Sequence, residues 1–374
     1  MRTELLGFGT ALPVGSLTQD EAVGAAVRLS GLDPQAEGAR KVQILNALYR
    51  RSGVSKRHSV VLQAGDEDPF VRQTFYKTAT DESDLGPTTF ERMQRFEASA
   101  PELSQSSCER ALADAKVAAS DIRHLVTVSC SGFAAPGYDL ALYPALGLAA
   151  NVSRTNVGFM GCHGALNGLR VARALSLANP GEAVLVCATE LCSLHHQYTD
   201  DPQQIVANSL FADGSAAVVL RSTEATDQAT DHAGWTLLGS SSCVLSESTD
   251  MMSWRVGDHG FQMTLSAQVP EVIRKQLKPW LESWLATQQL TLQDVASWAV
   301  HPGGPRILTA TTSALELSSE QLSVSAGVLA DCGNMSSPTI LFILDRMRRQ
   351  DMRGPCVALA FGPGLVVEAA LLQR

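Results

Sequence analysis

The sequence predicts an α/β protein built from two similar halves, and three observations lead to this prediction. Short apolar stretches of strand length alternate along the chain with longer segments of helical periodicity. The order of strand, helix, strand and then a closing pair of strands occurs on both sides of one polar stretch. Of the 374 residues, 45% are hydrophobic and 18% are charged, which is enough apolar material to fill a large core.

The predicted buried strands are runs of small and β-branched apolar residues. They cover residues 123–130 (RHLVTVSC), 183–189 (AVLVCAT), 216–220, 295–300, 356–361 and 365–372. The predicted helices, in which apolar residues recur every three or four positions, cover residues 104–118, 164–177, 269–288 and 337–349. The polar segment 222–232 (STEATDQATDH) has no periodicity. It therefore predicts a linker between an N-terminal half, 1–222, and a C-terminal half, 233–374.

Charge and targeting signals narrow the class of protein. The 29 Lys and Arg against 38 Asp and Glu give a net charge of -9, which argues against a nucleic-acid partner because such proteins present a basic face. We find no signal-peptide pattern and no apolar run long enough to span a membrane, so no membrane association is expected. The eight cysteines form no CxxC pair, and we expect reduced thiols in a cytoplasmic protein.

The segment 157–169 (VGFMGCHGALNGL) carries the first candidate for chemistry. Cys162 lies between glycines where a strand-like segment changes to a helical pattern. The positive end of a helix dipole stabilises a thiolate, so this position suits an activated nucleophile. A buried structural cysteine is the alternative. The neighbouring His163 is interpreted as structural rather than catalytic.

Two further polar residues follow apolar or glycine-containing segments in the C-terminal half. His301 comes after the run VASWAV and before Pro-Gly-Gly-Pro, which predicts a place at the end of a buried strand beside a turn. Asn334, in the segment DCGNMSSP, could donate a hydrogen bond to a developing oxyanion. From the residues alone, a solvated loop histidine and a helix cap remain open as alternatives.

Four motifs, in this order, carry a family resemblance: GFMGCHGALNGL, HPGGPRIL, GNMSSPTILFILDRMR and AFGPGLVVE. They resemble the type III polyketide synthases, the chalcone-synthase-like branch of the thiolase superfamily, over about residues 6–368. The resemblance implies the five-layered αβαβα thiolase fold with two related halves, and a homodimer. It implies a catalytic triad of Cys162, His301 and Asn334. It also implies an acyltransferase that uses acyl-CoA and malonyl-CoA as substrates, with no metal or redox cofactor.

The same resemblance assigns residues to the substrate pocket. Phe211 falls on a gatekeeper phenylalanine, and Met263 replaces the second gatekeeper, which is normally also phenylalanine. Cys130 occupies a cavity position that is threonine in the plant enzymes. Trp254 falls where they keep a glycine, and Ala135 precedes Pro136 where they have a methionine that reaches into the partner's cavity. These departures indicate a bacterial-type enzyme, and the flexible Met263 favours a long or bulky starter.

Coenzyme A brings phosphates, so cations are expected at the mouth of its tunnel. The densest basic run of the first half, in YRRSGVSKRH, supplies Arg50, Arg51, Lys56 and Arg57, with a solvated helix end as the alternative interpretation. Arg306 is a candidate for the adenosine end. Whether substrates arrive on coenzyme A or on an acyl carrier protein is left open by the sequence.

The sequence therefore predicts a decarboxylative condensing enzyme that makes an alkylpyrone or alkylresorcinol. A polyhydroxynaphthalene synthase that uses malonyl-CoA alone is the close alternative. An initiating ketoacyl-acyl-carrier-protein synthase and a non-catalytic acyl-CoA-binding scaffold are the others. The group Cys187, Cys192, His195, His196, Asp200 and Asp201 could suggest a metal site, but its spacing matches no zinc pattern, and no metal is expected. The turn Gly362-Pro363-Gly364 is expected to shape the cyclisation pocket.

Overall fold

A computed structural model describes residues 1–31, 38–81, 83–224 and 234–374. The strands are β1 (Arg2–Ala11), β2 (Ser16–Thr18), β3 (Lys56–His58), β4 (Ile122–Ser129), β5 (Ser153–Gly158), β6 (Ala183–Leu191), β7 (Asp213–Thr223), β8 (Trp235–Val244), β9 (Met252–Gly257), β10 (Gly260–Leu265), β11 (Ser297–Val300), β12 (Pro355–Gly362) and β13 (Val366–Gln373). The helices are α1 (Gln19–Leu29), α2 (Gly38–Arg50), α3 (Pro69–Arg72), α4 (Thr89–Ala115), α5 (Tyr138–Leu146), α6 (Gly164–Ala178), α7 (Pro202–Leu210), α8 (Val269–Thr287), α9 (Pro305–Leu315), α10 (Ser323–Cys332) and α11 (Thr339–Arg349).

The main sheet has nine strands in the order β11-β12-β13-β8-β1-β7-β6-β4-β5. Its two halves repeat one pairing pattern. In the N-terminal half β4 pairs parallel with β6, which pairs antiparallel with β7, and β7 pairs antiparallel with β1. In the C-terminal half β11 pairs parallel with β12, β12 antiparallel with β13, and β13 antiparallel with β8. The halves join where β1 pairs with β8, and their common pattern is the internal duplication that the sequence order predicted.

Helices cover both faces of the sheet and also separate its halves. Helices α6 and α11 share one buried core with the inner faces of both sheet halves. Helix α4 packs on the outer face of the N-terminal half, and α8 and α9 pack on that of the C-terminal half. Along β6, Val184 and Val186 face the central helices while Leu185 and Cys187 face α4, so both faces are buried and the first part of the strand is apolar. The result is the five-layered αβαβα thiolase fold.

Helix α4 is the element that the sequence predicted least well. The predicted helix 104–118 is only its last part, because α4 begins at Thr89 with a capping box between Thr88 and Glu91 and continues through Pro101. Helix α4 lies directly against β1, where glycine is required. A Cβ atom on Gly7 would lie 2.2 Å from the Ala115 nitrogen, and one on Gly9 would lie 2.0 Å from the Ser107 oxygen.

The predicted linker, 222–232, falls mostly within residues 225–233, which lie outside the described residues. Strand β7 ends at Thr223 and β8 begins at Trp235, on either side of that gap. Among the helices in the described part of the chain, none combines the length and the apolar character needed to cross a membrane.

Candidate active site

Cys162 lies in the short helical turn Gly161–His163, between the end of β5 and the start of α6. The turn approaches the Gly362-Pro363-Gly364 segment so closely that a Cβ atom on Gly161 would lie 2.3 Å from the Pro363 Cδ atom. Gly161 also has a φ of +70°, in the left-handed region that favours glycine. Glycine at 161 therefore serves both the backbone turn and the close packing that places the thiol.

Asn334 comes from the other half of the chain, after α10. Its backbone N–H donates to the Leu210 carbonyl, and its own carbonyl accepts from the Ala212 N–H, so its main chain is bound on both sides of Phe211. Its side-chain Oδ1 accepts the backbone N–H of Ser336 at 2.8 Å. Because Oδ1 is occupied, the amide NH2 group is the one left to face Cys162, and its hydrogen bond acts to lower the pKa of that thiol.

His301 follows β11, and its backbone N–H donates to the Leu359 carbonyl of β12 at 2.8 Å. The side chain is fully buried, and within the described part of the chain both ring nitrogens lack a hydrogen-bond partner. Burial lowers the pKa of His301 to about 3, with a smaller contribution from His163. The substrate-free site therefore holds a neutral imidazole whose ring nitrogens make no hydrogen bond to the described residues.

The environment of Cys162 differs from the activated thiolate that its helix position suggested. Desolvation raises the pKa of Cys162 to about 11, although hydrogen bonds from Ser336 and Asn334 lower it. The nearby Glu190 carboxylate raises it further. Without substrate Cys162 is thus a neutral thiol.

Glu190 is a site residue that the sequence reasoning missed. It is fully buried near the end of β6, and its carboxylate accepts hydrogen bonds from the Cys130 and Ser131 N–H groups and from the Ser131 and Ser337 hydroxyls. Burial raises the pKa of this carboxyl despite those donors. The signal was present in the sequence, because a glutamate ends an otherwise apolar strand.

A small inner cavity opens at Cys162. The residues predicted for the pocket, Phe211, Met263, Cys130 and Trp254, all line this cavity together with Cys162. The Trp254 indole N–H donates to the Cys130 carbonyl at 2.7 Å, and its ring lies 5.9 Å from that of Phe211. Trp254 is thereby held as one wall of the inner cavity.

A second space, which we call the side channel, lies beyond that wall. It encloses about 860 Å³, including its open mouth, and shares Cys192, Phe211 and Trp254 with the inner cavity. Away from these shared residues it is lined by α1, through Ala22, Ala25, Ala26 and Leu29, and by Pro69 and Phe70 of α3. Most of the lining is apolar, which suits a hydrocarbon chain.

A third space, which we call the basic cavity, encloses about 1190 Å³ on the side of the HPGGP motif. Both Arg51 and Arg306 line it, together with Gly303, Gly304 and Pro305. Arg50 and Lys56 are exposed but do not line this cavity. A cavity with arginines and a glycine-rich wall fits a chain that ends in phosphates.

Arg57 does not belong with these exposed cations, which corrects its assignment to coenzyme A. It is buried, because alternation along the short strand β3 turns it inward while Lys56 turns outward. Its guanidinium donates to the Asn208, Ser209 and Phe211 carbonyls. These contacts leave it no access to a phosphate. They fix instead the main chain that carries Phe211.

Among the described residues, no group of three or more His, Cys, Asp and Glu side chains is arranged to hold a metal ion. His195 and Cys192 line the side channel instead, and the His195 ring stacks on Phe261 at a centroid distance of 4.1 Å. His163 is buried, and its Nδ1 lies 2.7 Å from the Asn167 Oδ1.

The family models of the chalcone and stilbene synthases match nearly the whole chain. The N-terminal domain model matches residues 2–224, and the C-terminal domain model matches residues 236–374. Both halves of the sheet are thus covered by one family.

Similar proteins come from several groups of organisms. The chain is 33% identical to the alpha-pyrone synthesis polyketide synthase-like Pks18 of Mycobacterium tuberculosis, over 98% of this chain and 90% of that protein. It is 36% identical to the 1,3,6,8-tetrahydroxynaphthalene synthase of Streptomyces peucetius, over 72% of each protein. Its structure is similar to that of PKS-I from the brown alga Ectocarpus siliculosus, with a TM-score of 0.91 and 30% identity over 100% of this chain and 98% of the other.

Proposed function

The chain belongs to the chalcone and stilbene synthase family, the type III polyketide synthases. From that premise we propose that it makes an alkylpyrone or alkylresorcinol from a fatty or medium-chain acyl-CoA and malonyl-CoA. The chemistry of the family is decarboxylative Claisen condensation, an acyl transfer to carbon. What remains to be proposed is which residues of this chain perform each step and which starter they accept.

We propose that loading begins with Cys162 and His301 both neutral. We propose that a ring nitrogen of His301 takes the thiol proton while the sulfur attacks the carbonyl carbon of the starter thioester. The carbon–sulfur bond to coenzyme A then breaks, and the departing thiolate takes up the proton. The starter is left as a thioester on Cys162. Because burial holds the pKa of His301 at about 3 and that of Cys162 at about 11, the ion pair forms only transiently during this step.

Extension requires an enolate from malonyl-CoA. We propose that His301 and the Asn334 amide donate hydrogen bonds to the thioester carbonyl oxygen as the carboxylate leaves as carbon dioxide. The electron pair of the broken carbon–carbon bond enters the enolate, whose oxygen those donors stabilise. Donors of this kind contribute about 3–4 kcal/mol each to the transition state. The enolate carbon then attacks the Cys162 thioester, and the sulfur leaves, so that the chain grows by two carbons on coenzyme A.

The side channel is the observation that supports an alkyl starter. The inner cavity adjoins Cys162 directly and has little free space of its own. The side channel adds space beyond it, and the lining of that space is mostly apolar. Each methylene that enters it contributes about 0.8 kcal/mol by leaving water. A hydrocarbon tail is therefore the occupant that its surface favours.

A product screen tests this proposal. The protein would be given malonyl-CoA alone and then malonyl-CoA with acyl-CoAs of increasing length, with Cys162→Ala as the control. Pyrones or resorcinols that lengthen with the starter and are missing with the control are expected. A naphthalene-type product from malonyl-CoA alone would replace the alkyl proposal with the malonyl-only one.

Absence of product in every mixture would lead to a different set of substrates. Acyl chains on a carrier protein would then be supplied, because the phosphopantetheine arm is common to both donors and fits the basic cavity equally. Product formed only from carrier-bound acyl chains would show that the substrates arrive on an acyl carrier protein, as in ketoacyl-acyl-carrier-protein synthases. Tight acyl-CoA binding without any product would support the scaffold alternative.

We further propose a homodimer. Strand β5 ends the main sheet, and most of its residues are exposed. Nearby, Phe133 and Phe159 are 50% and 42% exposed and lie 5.7 Å apart between ring centroids. An open sheet edge beside exposed aromatic rings is a surface that a second copy would cover. Analytical ultracentrifugation tests this, with a species of about twice 39.8 kDa expected and a monomer at micromolar concentration contradicting it.

A further inference from the structure

Ser336 occupies an unusual position beside the nucleophile. It is buried, and its φ of +57° is in the left-handed region, which non-glycine residues rarely adopt. Such backbone conformations cost free energy and persist where the surrounding structure imposes them. Here the imposing contact is the hydrogen bond from the Ser336 N–H to the Asn334 Oδ1 at 2.8 Å.

This conformation directs the Ser336 hydroxyl into the inner cavity, whose lining includes Cys130 and Cys162. Its Oγ lies 3.4 Å from the Cys130 sulfur. Cys162 lines the same cavity, and there the Ser336 hydroxyl acts to lower the pKa of the Cys162 thiol. The Ser336 hydroxyl therefore faces a cavity that holds two sulfurs.

The state of Cys130 determines which sulfur receives the Ser336 hydroxyl proton at rest. Burial, and after it the charge of Glu190, raises the pKa of the Cys130 thiol, which therefore stays protonated. A protonated thiol keeps sulfur lone pairs that can accept from the Ser336 hydroxyl. A hydrogen bond to either sulfur is weak while both sulfurs are neutral, because a thiol sulfur is a poor acceptor.

Ionisation of Cys162 reverses this preference, because a thiolate is a far better acceptor than a neutral thiol sulfur. We propose that Ser336 is a positioning residue for the nucleophile: its hydroxyl turns from the Cys130 sulfur to the Cys162 sulfur when Cys162 gives its proton to His301, and it holds the thiolate in the cavity for acyl transfer. The inference rests on the proposed role of Cys162 as the nucleophile.

Other titratable groups also bear on Cys162 and must be kept constant in any test. These are Glu190 on β6, Cys130 after β4 and Cys192 after β6. Glu190, Cys130 and Cys192 disfavour the anion by charge or burial, whereas the Ser336 hydroxyl and the Asn334 amide favour it. Changing the hydroxyl alone therefore isolates one favourable contact.

The test measures alkylation of Cys162 by iodoacetamide as a function of pH, read by mass spectrometry of the Cys162 peptide. Ser336→Ala and Ser336→Gly both remove the hydroxyl, but only Gly also relieves the left-handed strain. Both variants are expected to raise the pKa of Cys162 by about one unit, so that alkylation at pH 8 slows about tenfold. A wild-type profile for Ser336→Gly, or a shift in Ser336→Ala alone, would assign the effect to backbone geometry and overturn the proposal.

Changes at Cys130 test whether its sulfur competes for the Ser336 hydroxyl. Cys130→Ala removes the competing sulfur and is expected to speed alkylation of Cys162 at pH 8 about two- to threefold, which corresponds to a pKa lowered by up to about half a unit. Cys130→Ser supplies a better acceptor and is expected to slow it relative to Cys130→Ala. The reverse order would show that Cys130 supports rather than competes with Cys162, and it would overturn the switch.

The alkylated proteins also show whether the role of Ser336 or the proposed role of Cys162 as nucleophile has failed. Alkylation of Cys162 in the wild type must abolish polyketide formation; if it does not, the assignment of the nucleophile fails. If it does, while the pH profiles of the Ser336 variants match the wild type, the nucleophile stands and only the role of Ser336 fails.

Discussion

Ala26→Phe is the substitution that tests the side channel most directly. Ala26 is 5% exposed and lines the channel from α1, away from the wall that Trp254 forms with the inner cavity. A phenyl group at this position occupies space that a long chain would use, but it leaves the inner cavity unchanged. We therefore expect the variant to discriminate against long starters alone.

The magnitude follows from the methylenes that are excluded. If the ring prevents only two methylenes from leaving water, the longest starters lose about 1.6 kcal/mol of binding, or about 15-fold in kcat/KM. Starters too short to reach α1 lose nothing. In the wild type, kcat/KM should rise about fourfold for each methylene until the channel is full, and in the variant this rise should stop at a shorter chain.

The assay is kcat/KM for a series of saturated acyl-CoAs, with products identified by mass spectrometry. Gly24→Phe is the matched control, because a Cβ atom on Gly24 meets nothing within 4 Å and a ring there extends from the same helix into solvent. The control should keep the wild-type profile. An equal loss at every chain length, or no loss at all in Ala26→Phe, would refute the assignment of the channel to the acyl tail.

Four further outcomes are expected. In His301→Gln, the fall in unfolding free energy between pH 7 and pH 5 should be about 2 kcal/mol smaller than in the wild type, measured by urea unfolding. Burial lowers the pKa of His301 to about 3 in the folded protein. Below pH 6.5 the unfolded wild-type chain therefore binds a proton at His301 that the folded protein does not bind, and the folded state loses stability as the pH falls. Glu368→Gln should destabilise the fold by about 1–3 kcal/mol in the same assay, because this buried carboxylate accepts from Arg170 and from two neutral donors; an unchanged midpoint would contradict that. Gly24→Ala should stabilise it by about 0.5–1 kcal/mol through helix propensity, and a loss of stability would show that the site is not open. Arg306→Ala should raise the KM for malonyl-CoA several-fold and leave kcat unchanged, as expected for a contact made equally in the ground and transition states; a lower kcat with unchanged KM would place Arg306 elsewhere.

The central strands were predictable because their residues are apolar on both faces. The predicted strand 183–189 lies within β6, and the predicted strands 356–361 and 365–372 correspond to β12 and β13. Strand β1 was missed for a physical reason. Its Gly7 and Gly9 reduce strand propensity, and they are required only because α4 packs against β1, a contact that the local sequence does not reveal.

In the candidate site, too, the local sequence predicted some residues, and others depend on tertiary contacts that it does not show. The motifs led to Cys162, His301 and Asn334, because glycine turns and strand ends are visible in the sequence. Ser336 lies in the same motif as Asn334, yet nothing local shows that its hydroxyl meets Cys130 of the other half. Arg57 belongs to a basic run in the sequence, but strand alternation turns it inward, which no count of charges could reveal.

The positions of the three spaces constrain how iteration can work. The basic cavity lies on the side of Gly303 and Gly304, whereas the side channel leaves the inner cavity past Cys192 and Trp254. If malonyl-CoA enters through the basic cavity and the acyl tail lies in the side channel, as proposed, the tail does not have to leave between cycles. The chain would then stay anchored by its tail while its reactive end is extended, and burial of the tail would keep the intermediate bound. On that proposal the length of the starter is set along α1, separately from the number of extensions.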